Sequence, residues 1–389
     1  MTAQNKDGQA AGAGQAASLI HDPHRVERAA GDLRRGVPIF ITAPSTGGSV
    51  IAVAAETMRN ETLRALIADA GTEARLILTH ARAATLKIPL YTPEIVSVHI
   101  PPEAGAEAIR AIADPTADLD NPLKGPFVTD RAAPPEGAAA SLKLAKLAGL
   151  LPATLVFQPG DEIAAKLAQV EGLSQVSAIA IRAYEADTAK GFQLVTRARV
   201  PLAGAESCEL VVFRPRDGGP EHYAIVIGVK TSASLATPGP VLARLHSECF
   251  TGDLLGSLKC DCGDQLRGAV AAIAAAGGGV LLYLAQEGRG IGMMNKMRAY
   301  RLQDEGFDTI EANMRLGFEP DERLYDIAAR MLGRLGYRSV RLMTNNPEKI
   351  RALEAAGITV AERVPHHFPE NVHNQAYLKA KSERGGHLA

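Results

Sequence analysis

The stretch "GVLLYLAQEGRGIGMMNKMRAYRLQDEG", residues 279–306, reads as three pieces in succession. Its apolar opening is too short for a buried helix and has the length of a buried strand. The glycine-studded "QEGRGIG", Gln286 to Gly292, breaks the pattern as a turn. "MMNKMRAYRLQDEG" then has helical composition and stops on Gly306. A strand that feeds through a glycine turn into a helix is the repeating unit of an α/β fold, in which ligands gather at the loops after the strands.

The same alternation continues on both sides. "DQLRGAVAAIAAAG" precedes the stretch as a helix, and "DERLYDIAARMLGRLG", "SVRLMT", "PEKIRALEAAG" and "ITVAERV" follow as helix, strand, helix and strand. Upstream, "CELVVFRP", "HYAIVIGVK" and "VLARLHS" are expected to be antiparallel strands joined by Gly/Pro turns. The first half alternates too. "PHRVERAAGDLRRG", "SLKLAKLAGL" and "DEIAAKLAQV" have helical spacing, while "VPIFIT", "GSVIAVAA", "ARLILTH" and "VSVHI" read as strands. Residues 114–137 are rich in Pro, Asp and Gly and are expected to be a long loop. The fold class expected is therefore α/β, with two mixed α/β domains at 21–194 and 195–389 behind an Ala/Gly/Gln-rich tail, 1–20, expected to be disordered.

Composition limits the function. The 389 residues are 46% hydrophobic and 22% charged, and 42 Lys and Arg nearly balance 43 Asp and Glu, as in an ordinary globular protein. No basic stripe for nucleic acid or an anionic membrane surface occurs, nor a run of eighteen apolar residues or a signal-peptide core, so a cytoplasmic location is expected. In a reducing compartment four cysteines are not a disulfide framework.

Three of the four crowd into "HSECFTGDLLGSLKCDC", residues 246–262. Cys249, Cys260 and Cys262 can converge on one tetrahedral Zn²⁺. Three readings stand at this point. His246 could close a structural site as fourth ligand, the fourth position could stay open for chemistry, or the three could be buried thiols brought together by coincidence. Cys208 lies in an expected strand and reads as core. In "QEGRGIG", Glu287 and Arg289 offer an acceptor and a guanidinium where glycines permit close approach of a ligand. Asp321 and Arg323 are expected at the start of a helix, with Asp321 as its cap. Pro347 fits the first position of another helix, and Lys349 falls in its opening turn against the dipole preference, which points to an anionic partner.

Taken together, "RLHSECFTGDLLGSLKCDCGDQL", "LLYLAQEGRGIGMMNKMRAYRLQDEGFDTIEAN", "LGFEPDER", "LMTNNPEKI" and the terminal "YLKAKSERGGHL" resemble the GTP cyclohydrolase II family. The resemblance implies an enzyme that opens GTP at the start of riboflavin synthesis, releasing formate and pyrophosphate. It implies Zn²⁺ held by Cys249, Cys260 and Cys262, and Mg²⁺ on the substrate phosphates. GTP contacts would come from Arg244, Leu245, His246, Ser247, Glu248, Gln265, Glu287, Gly288, Arg289, Thr309, Thr344 and Lys349. Asp321 matches the family's proton acceptor, Arg323 its assigned nucleophile and Tyr300 a functional tyrosine; a homodimer is implied as well. A guanidinium is a poor nucleophile, so electrostatic stabilisation of the phosphoryl group suits Arg323 better than covalent capture.

The first half resembles 3,4-dihydroxy-2-butanone 4-phosphate synthase through "RVERAAGDLRRGVPIFIT", "AIRAIADP", "SLKLAKLAGLLPATLVF" and "GFQLVTRARVPL". It departs from that family where the chemistry resides. The acidic metal-binding loop is replaced by "TAPSTGGSV", the G-H-T-E motif by "PEGAAAS" and the later Cys-Glu by Phe157-Gln158, and no Asp or Glu occurs from Val37 to Ala55. Without carboxylates a hard cation has little to bind it. The first half is accordingly expected to have lost that reaction. A bifunctional enzyme and a non-catalytic GTP- or zinc-binding regulator are the alternatives.

Overall fold

A computed structural model describes residues 22–43, 48–69, 73–228, 239–369 and 374. The N-terminal tail and the motif "YLKAKSERGGHL" lie outside the described residues. Each half carries one sheet. The first contains β1 (Ile39–Thr42), β2 (Val50–Ala54), β3 (Arg75–Thr79), β4 (Ile95–His99), β5 (Ala153–Phe157) and β6 (Ser174–Ser177), in the order β4-β3-β5-β2-β1-β6. Only β1 and β6 pair in parallel; the other neighbours are antiparallel. Strand alternation sends Ile39 and Ile41 to one core and Phe40 to another on the opposite face. Helices Asp22–Arg34, Glu136–Leu147 and Ala178–Lys190 close the first face, and Asn60–Asp69 and Ala106–Ala113 close the second.

The second sheet contains β7 (Gln193–Arg199), β8 (Cys208–Arg214), β9 (His222–Ile227), β10 (Val241–Ser247), β11 (Gly279–Leu284), β12 (Ser339–Met343) and β13 (Thr359–Val364), ordered β13-β12-β10-β11-β9-β8-β7. β7 is its edge, so this sheet starts at Gln193. Val241, Ala243 and Leu245 of β10 join the core beneath helix Asp326–Arg334, whereas Leu242 joins the core beneath helix Cys262–Ala275.

Two local expectations are corrected. β8 and β9 are antiparallel as expected, but β10 runs parallel to both β11 and β12. Six of its seven residues are buried, the signature of a strand covered on both faces rather than of an alternating antiparallel one. The helix expected from Asp321 begins only at Asp326. Glu322 N–H bonds to Arg289 O at 3.0 Å, and the Asp321 carboxylate is occupied by Arg323, so the chain stays non-helical beside the glycine turn.

The two halves touch along helix Gly292–Asp304. Leu151 of the first half is packed with Ile291, Ala299, Leu302, Ala312, Leu316 and Phe318 of the second. Lys146 pairs with Glu322 at 2.5 Å, and Arg298 pairs with Glu56 at 2.8 Å.

Candidate active site

The cysteines converge because the chain leaves β10 through a single π-helical turn, Phe250–Leu254, and returns at the first residue of helix Cys262–Ala275. Cys249, Cys260 and Cys262 place their sulfurs within 4.8 Å of one another. Cys249 Sγ lies 3.7 Å from Cys260 Sγ and accepts the Gly252 N–H at 3.4 Å. A β-carbon at Gly252 would stand 2.8 Å from Cys260 Sγ and 3.1 Å from Cys249 Sγ, so only glycine leaves the sulfurs room to meet. Hydrogen bonds from the other two thiols, opposed by burial and aided by Lys296, hold Cys249 far below its ordinary range. The thiolate at Cys249 pushes Cys260 up to about 11, and Cys262 is raised well above its usual value by its two neighbours.

His246 does not complete this cluster. Its Nε2 lies 3.1 Å from both carboxylate oxygens of Asp253, and the same carboxylate accepts from Cys249 N–H at 3.0 Å and from Tyr283 hydroxyl at 2.9 Å. The metal-capable group among the described residues has three thiols and no fourth ligand. That geometry favours the open reading over the closed one.

Beside the thiols is a solvent-open cleft. Arg244, His246, Ser247, Glu248, Gln265, Glu287, Gly288, Arg289, Tyr300, Thr309, Arg323, Thr344 and Lys349 all line it together with the three cysteines. Two residues named from the sequence do not. Leu245 is fully buried in the core and contributes only its carbonyl, which accepts from Lys349 Nζ at 2.7 Å. Asp321 stands behind Arg323, accepting from its Nε at 2.8 Å and its Nη2 at 2.5 Å. Burial opposes ionisation of Asp321, and these hydrogen bonds outweigh it, holding the carboxyl below its ordinary range.

Arg244 is buried and is lowered to about 10 by desolvation. It donates to Met343 O at 2.8 Å and to Gln265 Oε1 at 2.6 Å, while its Nε and the Ser247 Oγ are buried with no partner among the described residues. Unpartnered polar atoms at a cavity wall are groups that a ligand can satisfy. The turn after β11 is strained: Gly288, Arg289 and Gly290 have φ of 63°, 62° and 93°. Gly290 packs so closely that a β-carbon there would meet Glu322 O at 2.7 Å. This backbone costs energy at the non-glycine Arg289 and carries its side chain to the cavity wall.

Sequence reading missed Lys296. Its Nζ lies 3.0 Å from Cys249 Sγ, 2.9 Å from Thr251 Oγ1 and 2.8 Å from Glu287 Oε1. These partners outweigh its burial and keep it cationic. One lysine in a helix rich in basic residues carries no pattern of its own. Asn346 and His366 were missed as well, the latter pushed down to about 4 by burial. The cavity gathers five cations, Arg244, Arg289, Lys296, Arg323 and Lys349, against Glu248 and Glu287, in a chain whose net charge is −1. Such a wall suits a polyanion.

A family model described as GTP cyclohydrolase II matches residues 193–365. A GTP cyclohydrolase-2 from Azospirillum brasilense is 48% identical over 366 residues, 93% of either chain. One from Pseudomonas paraeruginosa is 56% identical over 176 residues, 45% of this chain and 83% of its own. Among solved structures, a two-domain 3,4-dihydroxy-2-butanone 4-phosphate synthase from A. baumannii aligns over 89% of this chain and all of its own, with 18% identity and a TM-score of 0.35. At that score the likeness assigns no chemistry to the first half.

Proposed function

The chain belongs to the GTP cyclohydrolase II family, and on that premise we propose that it hydrolyses GTP to 2,5-diamino-6-(5-phosphoribosylamino)pyrimidin-4(3H)-one, formate and pyrophosphate, the first step of riboflavin biosynthesis. The observation that carries the reading is the meeting of three thiols with an open cleft lined by more cationic than acidic side chains.

The donor set suits Zn²⁺. Three thiolates are soft ligands, and the space Gly252 leaves between them is the space a β-carbon would fill. Cys249, Cys260 and Cys262 would hold the ion, which supplies Lewis acidity and makes water nucleophilic near neutral pH. The remaining work belongs to the chain. Arg244 Nε and Ser247 Oγ offer unsatisfied polar atoms to the base. Arg289, Arg323 and Lys349 line the wall where the phosphates and their Mg²⁺ would be received, at the start of helix Pro347–Ala355. Asp321 holds both Nε and Nη2 of Arg323, which fixes the plane of the guanidinium against the α-phosphoryl group. Tyr300 has its hydroxyl pushed up to about 12 by burial, so it acts as a neutral donor rather than as a base.

The first half has lost butanone-phosphate synthase chemistry, because the acids that would hold its metal are absent from Val37 to Ala55. The enzyme works in the cytoplasm; among the described residues no helix is long and apolar enough to cross a membrane. It acts as a homodimer, a reading supported by Leu254, Leu255 and Leu258, each more than half exposed in the segment between β10 and helix Cys262–Ala275. The functional test is incubation of the purified protein with GTP, Zn²⁺ and Mg²⁺ and identification of the products by mass spectrometry. Formate, pyrophosphate and the diaminopyrimidine are expected together. An intact guanine ring after removal of phosphate would overturn the assignment.

A further inference from the structure

We propose that the first half of the chain positions the cavity residues Lys296 and Tyr300, with Glu56 and Arg298 as the coupling pair. The proposal rests on the cyclohydrolase reading for its assay and goes beyond it in giving the first half a task in that reaction.

Helix Gly292–Asp304 has two working faces. Lys296, Tyr300 and Gln303, spaced as one helical face, line the cavity. Asn295, Arg298 and Leu302, one step round the helix, turn toward the first half. Asn295 is fully buried and donates to Gly149 O at 3.0 Å. Leu302 packs in the cluster that contains Leu151. Arg298 donates to Glu56 Oε1 at 2.8 Å and to Asn295 Oδ1 at 2.7 Å, and lies 3.4 Å from Asp114. Glu56 itself is held, since its other oxygen accepts from Leu151 N–H at 2.8 Å. Its side chain is 8% exposed and that of Arg298 is 18% exposed, so the pair is little screened.

The consequence is geometric. Glu56 and Arg298 set the rotation and height of a helix whose neighbouring face puts Lys296 Nζ 3.0 Å from Cys249 Sγ. A side chain at that distance is sensitive to a shift of a fraction of an ångström. The phosphate-side cations are anchored elsewhere: Arg323 by Asp321, and Lys349 by Leu245 O. Loss of the pair should therefore impair ring opening more than GTP binding. Relatives such as the Pseudomonas chain match only 45% of this one, so the chemistry is complete without the first half, and the effect expected is attenuation rather than abolition.

The test uses the full chain at saturating Zn²⁺. Glu56→Gln keeps an acceptor for Leu151 N–H and removes the charge facing Arg298. Its kcat for formate release should fall about tenfold, with KM for GTP changed less than about twofold. Amides of 292–304 should exchange hydrogen faster while those of β10 to β12 do not. In a Lys296→Met background Glu56→Gln should cost less than it does in the wild type, because one of the two groups it positions is gone. If Glu56→Gln does not fold, Arg298→Gln, which leaves the Glu56 bond to Leu151 intact, is read by the same measures. An active wild type with unchanged kcat in the variant, or with additive losses in the double variant, overturns the coupling alone. A wild type that releases no formate overturns the functional reading and this one with it.

Discussion

Lys296 donates to Cys249 Sγ at 3.0 Å across 47 residues of sequence, and it does so from a helix that also meets the first half of the chain. Three thiolates around a divalent cation carry one excess negative charge, which an ammonium in contact with one of them offsets. Lys296→Met should weaken zinc retention by about ten- to a hundredfold, the range for loss of a partner behind a metal ligand. Competition with a chromogenic chelator measures it, and unchanged affinity would mean that Lys296 serves only the substrate.

The room between the sulfurs is itself testable. In Gly252→Ala the new methyl group would meet Cys260 Sγ at 2.8 Å and the β-carbon of Cys262 at 2.9 Å. Zinc content should drop below one per chain, as in Cys260→Ser, and both variants should lose formate release. Full zinc occupancy in either variant, read by elemental analysis, would show that the metal is held elsewhere.

Ring opening and phosphate chemistry should separate by residue. Arg323→Lys keeps the charge and loses the planar fork that Asp321 grips at two nitrogens, so pyrophosphate release should suffer more than formate release. Cys262→Ser should show the reverse. Parallel assays of the two products decide it, and equal losses of both in each variant count against the division.

Acid should destabilise the fold through His222. It is buried, and desolvation lowers it to about 4; its Nδ1 accepts the Ala285 N–H at 3.1 Å. A histidine depressed below its unfolded value binds fewer protons folded than unfolded between these two values. Stability is thus complete above about pH 6.5 and falls as pH drops toward 4, by about 3 kcal/mol at most. Denaturant melts of His222→Gln across this window should show a shallower decline than wild type. An identical pH slope would remove His222 from the account.

Ribulose 5-phosphate incubated with the protein and Mg²⁺ should yield neither butanone phosphate nor formate, while the first half stays folded. Its two cores, with Ile39 and Ile41 on one face and Phe40 on the other, keep the apolar pattern that supplies stability even though the acids are gone. Detectable turnover would restore the bifunctional alternative.

What the sequence determined by itself was whatever local pattern encodes. Period-two and helical spacing located β1 to β4, β8 to β13 and helices such as Asp22–Arg34 and Cys262–Ala275, Pro347 announced a helix start, and the spacing of Cys249, Cys260 and Cys262 pointed to thiols that meet. Tertiary structure decided what depends on residues far apart in the chain. β10 became a central parallel strand because helices cover both its faces, which its own seven residues do not state. Asp321 turned from helix cap to partner of Arg323 because Glu322 N–H is bonded to Arg289 O of the glycine turn. Leu245 faced the core and Lys296 faced the sulfurs because packing, not composition, sets the rotation of a strand and a helix. Hydrophobic periodicity chooses which face of an element is buried, but the groups that meet across the burial are chosen by the neighbours brought against it.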